Sequence, residues 1–122
     1  MTRFDHVAID ALDAEASARF LADVLGTREP TPEGEDDDMF RVDLDDGSFV
    51  LFSPATSIAF AHVAFRVNPS RFEEIVARLR ARGVAFGNDH HDPRNGATDD
   101  PLGGAGRIYF ADDNGHLWEV AC

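Results

Sequence analysis

The sequence predicts an α+β fold made of two tandem βαβββ modules. Three observations lead there. The pentapeptide F-x-H-V-A is written twice, as FDHVA at residues 4–8 and as FAHVA at residues 60–64. A helical pattern follows each copy. A two-residue turn signal, Asp46-Gly47 and then Asn114-Gly115, separates the last two strand candidates of each half. Repeated element order with repeated turns marks an internal duplication. Residues 1–122 then read as one domain, with module one over about 1–56, module two over about 57–122 and a joint near Pro54 to Ser57.

Each element has its own local warrant. In RFDHVAID, Phe4, His6 and Ala8 alternate with Val7 and Ile9, the period of a strand. In AFAHVAFRV, Phe60, His62, Ala64 and Arg66 alternate with Val63, Phe65 and Val67. The first helix is expected over about Asp13 to Leu25, with Ala16, Phe20, Leu21, Val24 and Leu25 as its apolar stripe and Gly26 as its stop. The second is expected over about Pro69 to Arg82, with Phe72, Ile75, Val76 and Leu79 as its stripe and Gly83 at its end. Its start admits two readings: an Asn68 cap with Pro69 at the first helical position, or a Ser70-x-x-Glu73 capping box. The strands to follow are GTREP, MFRVDL and SFVLFS in module one, and VAFGN, GRIYFA and HLWEVA in module two. EGEDDD (33–38) reads as a solvated loop. The stretch DHHDPRNGATDDPLGGAG (89–106) is long and rich in turn residues, a length that is uncommon unless the loop is mobile or functional.

Composition narrows the function. The 122 residues carry a formal net charge of −12, and all eleven basic residues are arginine. Nucleic acid and anionic membrane surfaces are disfavoured as partners, because like charges repel and no basic patch is visible. No apolar run approaches the roughly 20 residues needed to span a bilayer. The N-terminus lacks the basic-then-apolar layout of a secretory signal, so a cytoplasmic location is expected. The single Cys122 cannot form an intramolecular disulfide.

Alternation then places the repeated histidines. Trp118, Val120, Ile108 and Phe110 are the large apolar residues of the closing strands and should pack toward the helices. Glu119 must point the other way, into the concave side of the sheet, and His6 and His62 point there as well. A lone strand histidine is ordinarily a hydrogen-bonded structural residue. Two at equivalent repeat positions, with an inward glutamate, instead suggest a divalent metal: two imidazoles and one carboxylate form a facial ligand set with open positions. Leu51 stands at the repeat position of Glu119 and cannot ligate, so three protein ligands are expected.

These features resemble the vicinal oxygen chelate superfamily, above all the histidine in the first strand of each module and the closing YFADDNGHLWEV. The resemblance covers nearly the whole chain. It implies a curved, cup-like mixed sheet with helices on the convex side, holding one divalent metal (Fe, Mn, Zn or Ni). It also implies a homodimer, often with each cup shared between subunits, and an activity on a small molecule with adjacent oxygens. The matching ligand positions are His6, His62 and Glu119. Glyoxalase I and methylmalonyl-CoA epimerase use further carboxylates, and Leu51 takes the place of one. Fosfomycin-resistance enzymes need a cationic phosphonate site and a hydroxyl residue where Ala8 stands. Extradiol dioxygenases share the His, His, Glu set and a tyrosine ten residues before the glutamate, where this chain has Tyr109. Their histidine upstream of that tyrosine is missing, and His90 and His91 lie farther back.

By alternation the cup should also present Arg41, Asp43, Phe49, Leu51, Arg66, Arg107 and Tyr109. Arg41, Arg66 and Arg107 suit an anionic substrate, with surface ion pairs as the bland alternative. Phe4, Phe49 and Phe60 would supply an apolar wall. Tyr109 would hydrogen-bond an oxygen at the metal. The His90-His91 pair is read as solvated loop or as a lid, and His116 as structural. The function expected is thus a metal-dependent lyase or dioxygenase with Tyr109 and Glu119 as catalytic residues. The alternative is a non-catalytic drug-binding protein of the bleomycin-resistance type, for which the acidity speaks.

Overall fold

Two small polar residues, each just ahead of an apolar periodic run, cap the two helices of the computed structural model, which describes residues 1–122. Asp13 accepts a hydrogen bond from the Ala16 amide at 3.0 Å and starts α1 (Ala14–Leu25). Asn68 accepts from the Arg71 amide at 2.7 Å and starts α2 (Pro69–Ala81), which settles the two possible starts in favour of Asn68 with Pro69. Each cap contributes about 1 kcal/mol. Gly26 and Gly83 end the helices at φ 74° and 69°, the left-handed region that a side chain strains against. Neither helix is long and apolar enough to cross a membrane.

The chain divides into two compact units, Met1–Ala59 and Phe60–Cys122. In the first, β1 (His6–Ala11), α1, β2 (Thr31–Glu33), β3 (Met39–Asp43) and β4 (Phe49–Pro54) form a sheet in the order β1-β4-β3-β2. The β1–β4 pair is parallel and the others antiparallel, so the sheet is mixed. Register sets His6 beside Phe49 and Phe49 beside Asp43, with Ala8, Leu51 and Arg41 in the next row. The opposite face carries the buried Ile9, Ala11, Val42, Val50 and Phe52, together with Leu21, Val24 and Leu25 of α1. Ala16, expected in the α1 stripe, is exposed; Ala14, Ala18 and Ala22 are the small residues that face the core.

The second unit holds β5 (His62–Arg66), α2, β6 (Arg107–Ala111) and β7 (Leu117–Ala121), in sheet order β5-β7-β6. Again one pair, β5–β7, is parallel and the other antiparallel. Trp118, Val120, Ile108 and Phe110 are fully buried on one face, as alternation requires, and Phe72, Ile75, Val76 and Leu79 of α2 are buried as well. The Phe72 ring covers the backbone of Gly106, where an added Cβ would lie 2.6 Å from it. Asp112 organises the β6–β7 turn: its carboxylate accepts from the amides of Asn114 and His116 and from the Trp118 indole N–H.

Two expected strands differ, for one reason. GTREP is not a strand, because the Gly26 and Thr27 amides turn back to Ala22 O and close α1; pairing begins only at Thr31. VAFGN likewise spends Val84 on Leu79 O at the end of α2 and keeps only one bridge, between Gly87 and Tyr109. Phe4 and Phe60 fall outside the strands and are exposed.

The 89–106 stretch is tied down along its length. Asn88 and Asn95 bond each other, Asn88 also holds Asp99, and Gly96 N–H reaches Phe86 O at 2.8 Å. Its far end is fastened by hydrogen bonds from the Ala105 N–H to Cys122 O and from the Cys122 N–H to Gly106 O.

Candidate functional site

The second unit gathers most of the residues singled out by the sequence. The β5–β7–β6 register sets Ala64 beside Glu119 and Glu119 beside Tyr109. His62, Arg66, Glu119, Arg107 and Tyr109 therefore share the face turned away from the Trp118 core. On that face His62 Nε2 lies 2.9 Å from Glu119 Oε1. Glu119 is buried, whereas the His62 ring is about half exposed, so the pair opens toward one side.

The other oxygen of Glu119 accepts a hydrogen bond from an Arg107 terminal nitrogen. Arg107 in turn donates from Nε to Asp100 Oδ1 at 2.9 Å. Asp100, Arg107 and Glu119 thus form a chain of alternating charge with little solvent access: the side chains are 2%, 11% and 9% exposed. Arg107 holds the Asp100 carboxyl below its ordinary pKa, helped by the Leu102 amide. Asp100 keeps the guanidinium firmly charged, against the opposing pull of burial.

Tyr109 stands beside this chain, 8% exposed. Burial, and then the Glu119 charge, raise its pKa, so the phenol keeps its proton and acts as a donor. Its ring lies 6.1 Å from that of His62 on one side and 6.1 Å from that of His90 on the other. The 89–106 loop therefore brings one histidine back over this face. The His90 and His91 rings meet at a tilt, with centroids 3.8 Å apart and planes 42° apart, and both residues are exposed.

In the first unit, His6 stacks flat on Phe49, with ring centroids 4.6 Å apart and planes 6° apart. Its Nδ1 lies 2.6 Å from Asp5 Oδ2. A carboxylate on Nδ1 fixes the tautomer that leaves Nε2 as the acceptor, the usual support for a ligating histidine. Arg41 lies over the same Phe49 ring, 3.6 Å from its centroid. It is already committed to Asp43 at 2.7 Å and Glu33 at 3.6 Å.

Among the three arginines marked for substrate, then, Arg41 and Arg107 serve intrachain ion pairs, and Arg66 stands exposed on the site face. His116 is buried and accepts from the Ala61 amide at 3.1 Å, a structural post. Asp5 and Asp100 were not among the sequence candidates. Asp5 directly precedes His6, and that adjacency was a readable signal; Asp100 lies in a loop whose path alternation cannot trace.

Neither unit by itself assembles three His, Cys, Asp or Glu side chains able to hold a metal. What the second unit offers is a cis pair. Two donors cis to each other on an ion about 2.1 Å from each lie about 3.0 Å apart. The 2.9 Å separation of His62 Nε2 and Glu119 Oε1 is that of an ordinary hydrogen bond between them, and it is also compatible with that spacing. With its second oxygen held by Arg107, Glu119 would bind through Oε1 alone.

Comparison with known proteins gives the family and the fold. The sequence matches the family described as a glyoxalase-like domain over residues 6–121. The solved structure named Oxidase ChaP-H1 is 34% identical with a TM-score of 0.89, covering 98% of this chain and 94% of that one. Oxidase ChaP-H2 is 32% identical with a TM-score of 0.87, covering 98% and 91%. The fosfomycin resistance protein FosX of Listeria monocytogenes, solved with Mn(II) and sulfate, shares the fold at 17% identity and a TM-score of 0.69, covering 100% and 90%. No curated protein matches the sequence.

Proposed function

Because this chain belongs to the glyoxalase-like domain family, we propose that it is a metal-dependent small-molecule oxidase of the vicinal oxygen chelate type. The observation that carries the reading is the His62–Glu119 pair, spaced as cis ligands and backed by Arg107. His6, its Nδ1 occupied by Asp5, completes a two-histidine, one-carboxylate set, from the same chain or from the second copy of a homodimer. That donor set suits iron above zinc, and the likeness to the two ChaP oxidases favours a redox reaction over simple Lewis-acid work. When bound, the metal supplies a Lewis-acidic centre that engages the adjacent oxygens of a substrate.

The chain's own residues do the rest. Tyr109, held protonated, donates its O–H to a substrate oxygen and steadies charge developing there. Arg66 is the exposed guanidinium on this face and would meet an anionic group of the substrate. Phe49, sandwiched by His6 and Arg41, offers an apolar wall.

The net charge of −12 favours a second reading, capture of a cationic drug without turnover. Oxygen uptake decides between them. Protein loaded anaerobically with Fe(II) and mixed with aromatic or enolic compounds bearing adjacent oxygens and a carboxylate should consume oxygen. Protein that binds cationic drugs tightly and consumes no oxygen with any of these compounds would favour capture.

A further inference from the structure

We infer that Asp100 is a positioning residue for Glu119, acting through Arg107, so that the 89–106 loop governs how tightly a divalent cation is held. The inference rests on Glu119 being a metal ligand, as proposed above. Glu119 has two oxygens, and only Oε1 faces His62. Arg107 occupies the other. An arginine this close to a ligand is a hazard, since its charge repels a cation and competes for the carboxylate. Asp100 counters that hazard. It takes Arg107 Nε at 2.9 Å and approaches a terminal nitrogen at 3.5 Å, so the guanidinium is shared between two carboxylates. The triad then carries a net charge of −1, which favours a cation; without the Asp100 charge it would be neutral.

Asp100 is itself held by the loop. Its two oxygens accept from the Leu102 amide at 2.9 Å and the Gly104 amide at 3.0 Å. Gly104 is required for this approach, because an added Cβ would collide with the Asp100 carboxylate and lie 2.8 Å from Cys122 O. The loop sequence DDPLGGAG thus builds a seat for one carboxylate that is aimed at Arg107.

The probe is Mn(II) alone, added to the full-length, metal-free protein and followed by the electron paramagnetic resonance signal of the free ion. Asp100→Asn keeps the shape and one of the two acceptor atoms and removes the charge; it should bind Mn(II) about 10-fold more weakly than the parent protein, the usual scale for an outer-shell partner. Gly104→Ala, which displaces Asp100 and leaves its charge, should weaken binding in the same direction. Ile75→Ala, a core truncation on α2, should lower the melting temperature and leave Mn(II) affinity unchanged. That contrast separates positioning from mere stability. If the parent protein binds no Mn(II), the ligand reading of Glu119 fails and this inference falls with it. If the parent binds and both loop variants bind equally well, the inference alone is wrong. Loss of native structure in both loop variants would assign the triad to holding the fold and would also overturn it.

Discussion

Glu119 divides its two oxygens between two tasks. Oε1 faces a half-exposed histidine, and Oε2 is locked by a buried arginine. A carboxylate so held is not free to rotate; under the proposed metal role, that would leave Oε1 alone to meet an ion. Tyr109 stands next to it in register, and the proposed reaction gives it the contact with the substrate. Tyr109→Phe removes one donor from a buried position while keeping the ring. It should lower kcat by about 10²–10³-fold, the cost of losing one preorganised donor, with Mn(II) affinity unchanged. Steady-state kinetics beside a metal titration checks this, and a fall in both together would place Tyr109 in metal retention instead. At this scale the sequence was informative wherever strand alternation applies. His62, Glu119, Arg107 and Tyr109 share a face because each is an even number of residues from its neighbours along a strand or directly across in register. The arginines were legible as facing the site but not as paired, since ion pairing depends on which acidic residue a loop delivers.

Elements were readable to the extent that their ends carry local chemistry. Asp13, Asn68, Gly26 and Gly83 mark the helices because caps are decided within four residues. The two short edge segments were not readable, because the backbone after each helix is first spent on closing that helix. The 89–106 loop shows the same limit on a larger scale: its turn residues announce a loop, yet its Asp100 anchor depends on a partner seven residues away on β6. That anchor has a pH signature. The Asp100 carboxyl sits below its ordinary value of 3.8 because Arg107, then Leu102, stabilise the charged form. The unfolded chain therefore takes up this proton first as the pH drops. The stabilisation is whole above the ordinary value and is lost as pH falls through the folded one. Melting temperature should accordingly decline from about pH 5 to about pH 3, and Asp100→Asn should show a shallower decline than the parent. Equal slopes would mean that Asp100 is not charged and paired in the folded protein.

The whole molecule is a duplicated plan with asymmetric use. Both units carry a mixed sheet with one parallel pair, one capped helix and a histidine at the start of the first strand. They differ at two places that the proposed function uses: Leu51 in the first unit stands where Glu119 stands in the second, and Asp5 pairs with His6 where Glu119 pairs with His62. The net charge of −12 surrounds both with a field that attracts cations, metal ions included. The central claim is that the repeated histidines and Glu119 bind one divalent metal. Elemental mass spectrometry of protein purified without a histidine tag tests it most directly, beside His6→Ala, His62→Ala and Glu119→Ala variants. We expect about one divalent ion per chain in the parent, with iron foremost, and its loss in each of the three variants with native circular dichroism retained. Metal content unchanged by the substitutions, or none in the parent even after reconstitution with Fe(II) or Mn(II), would contradict the account.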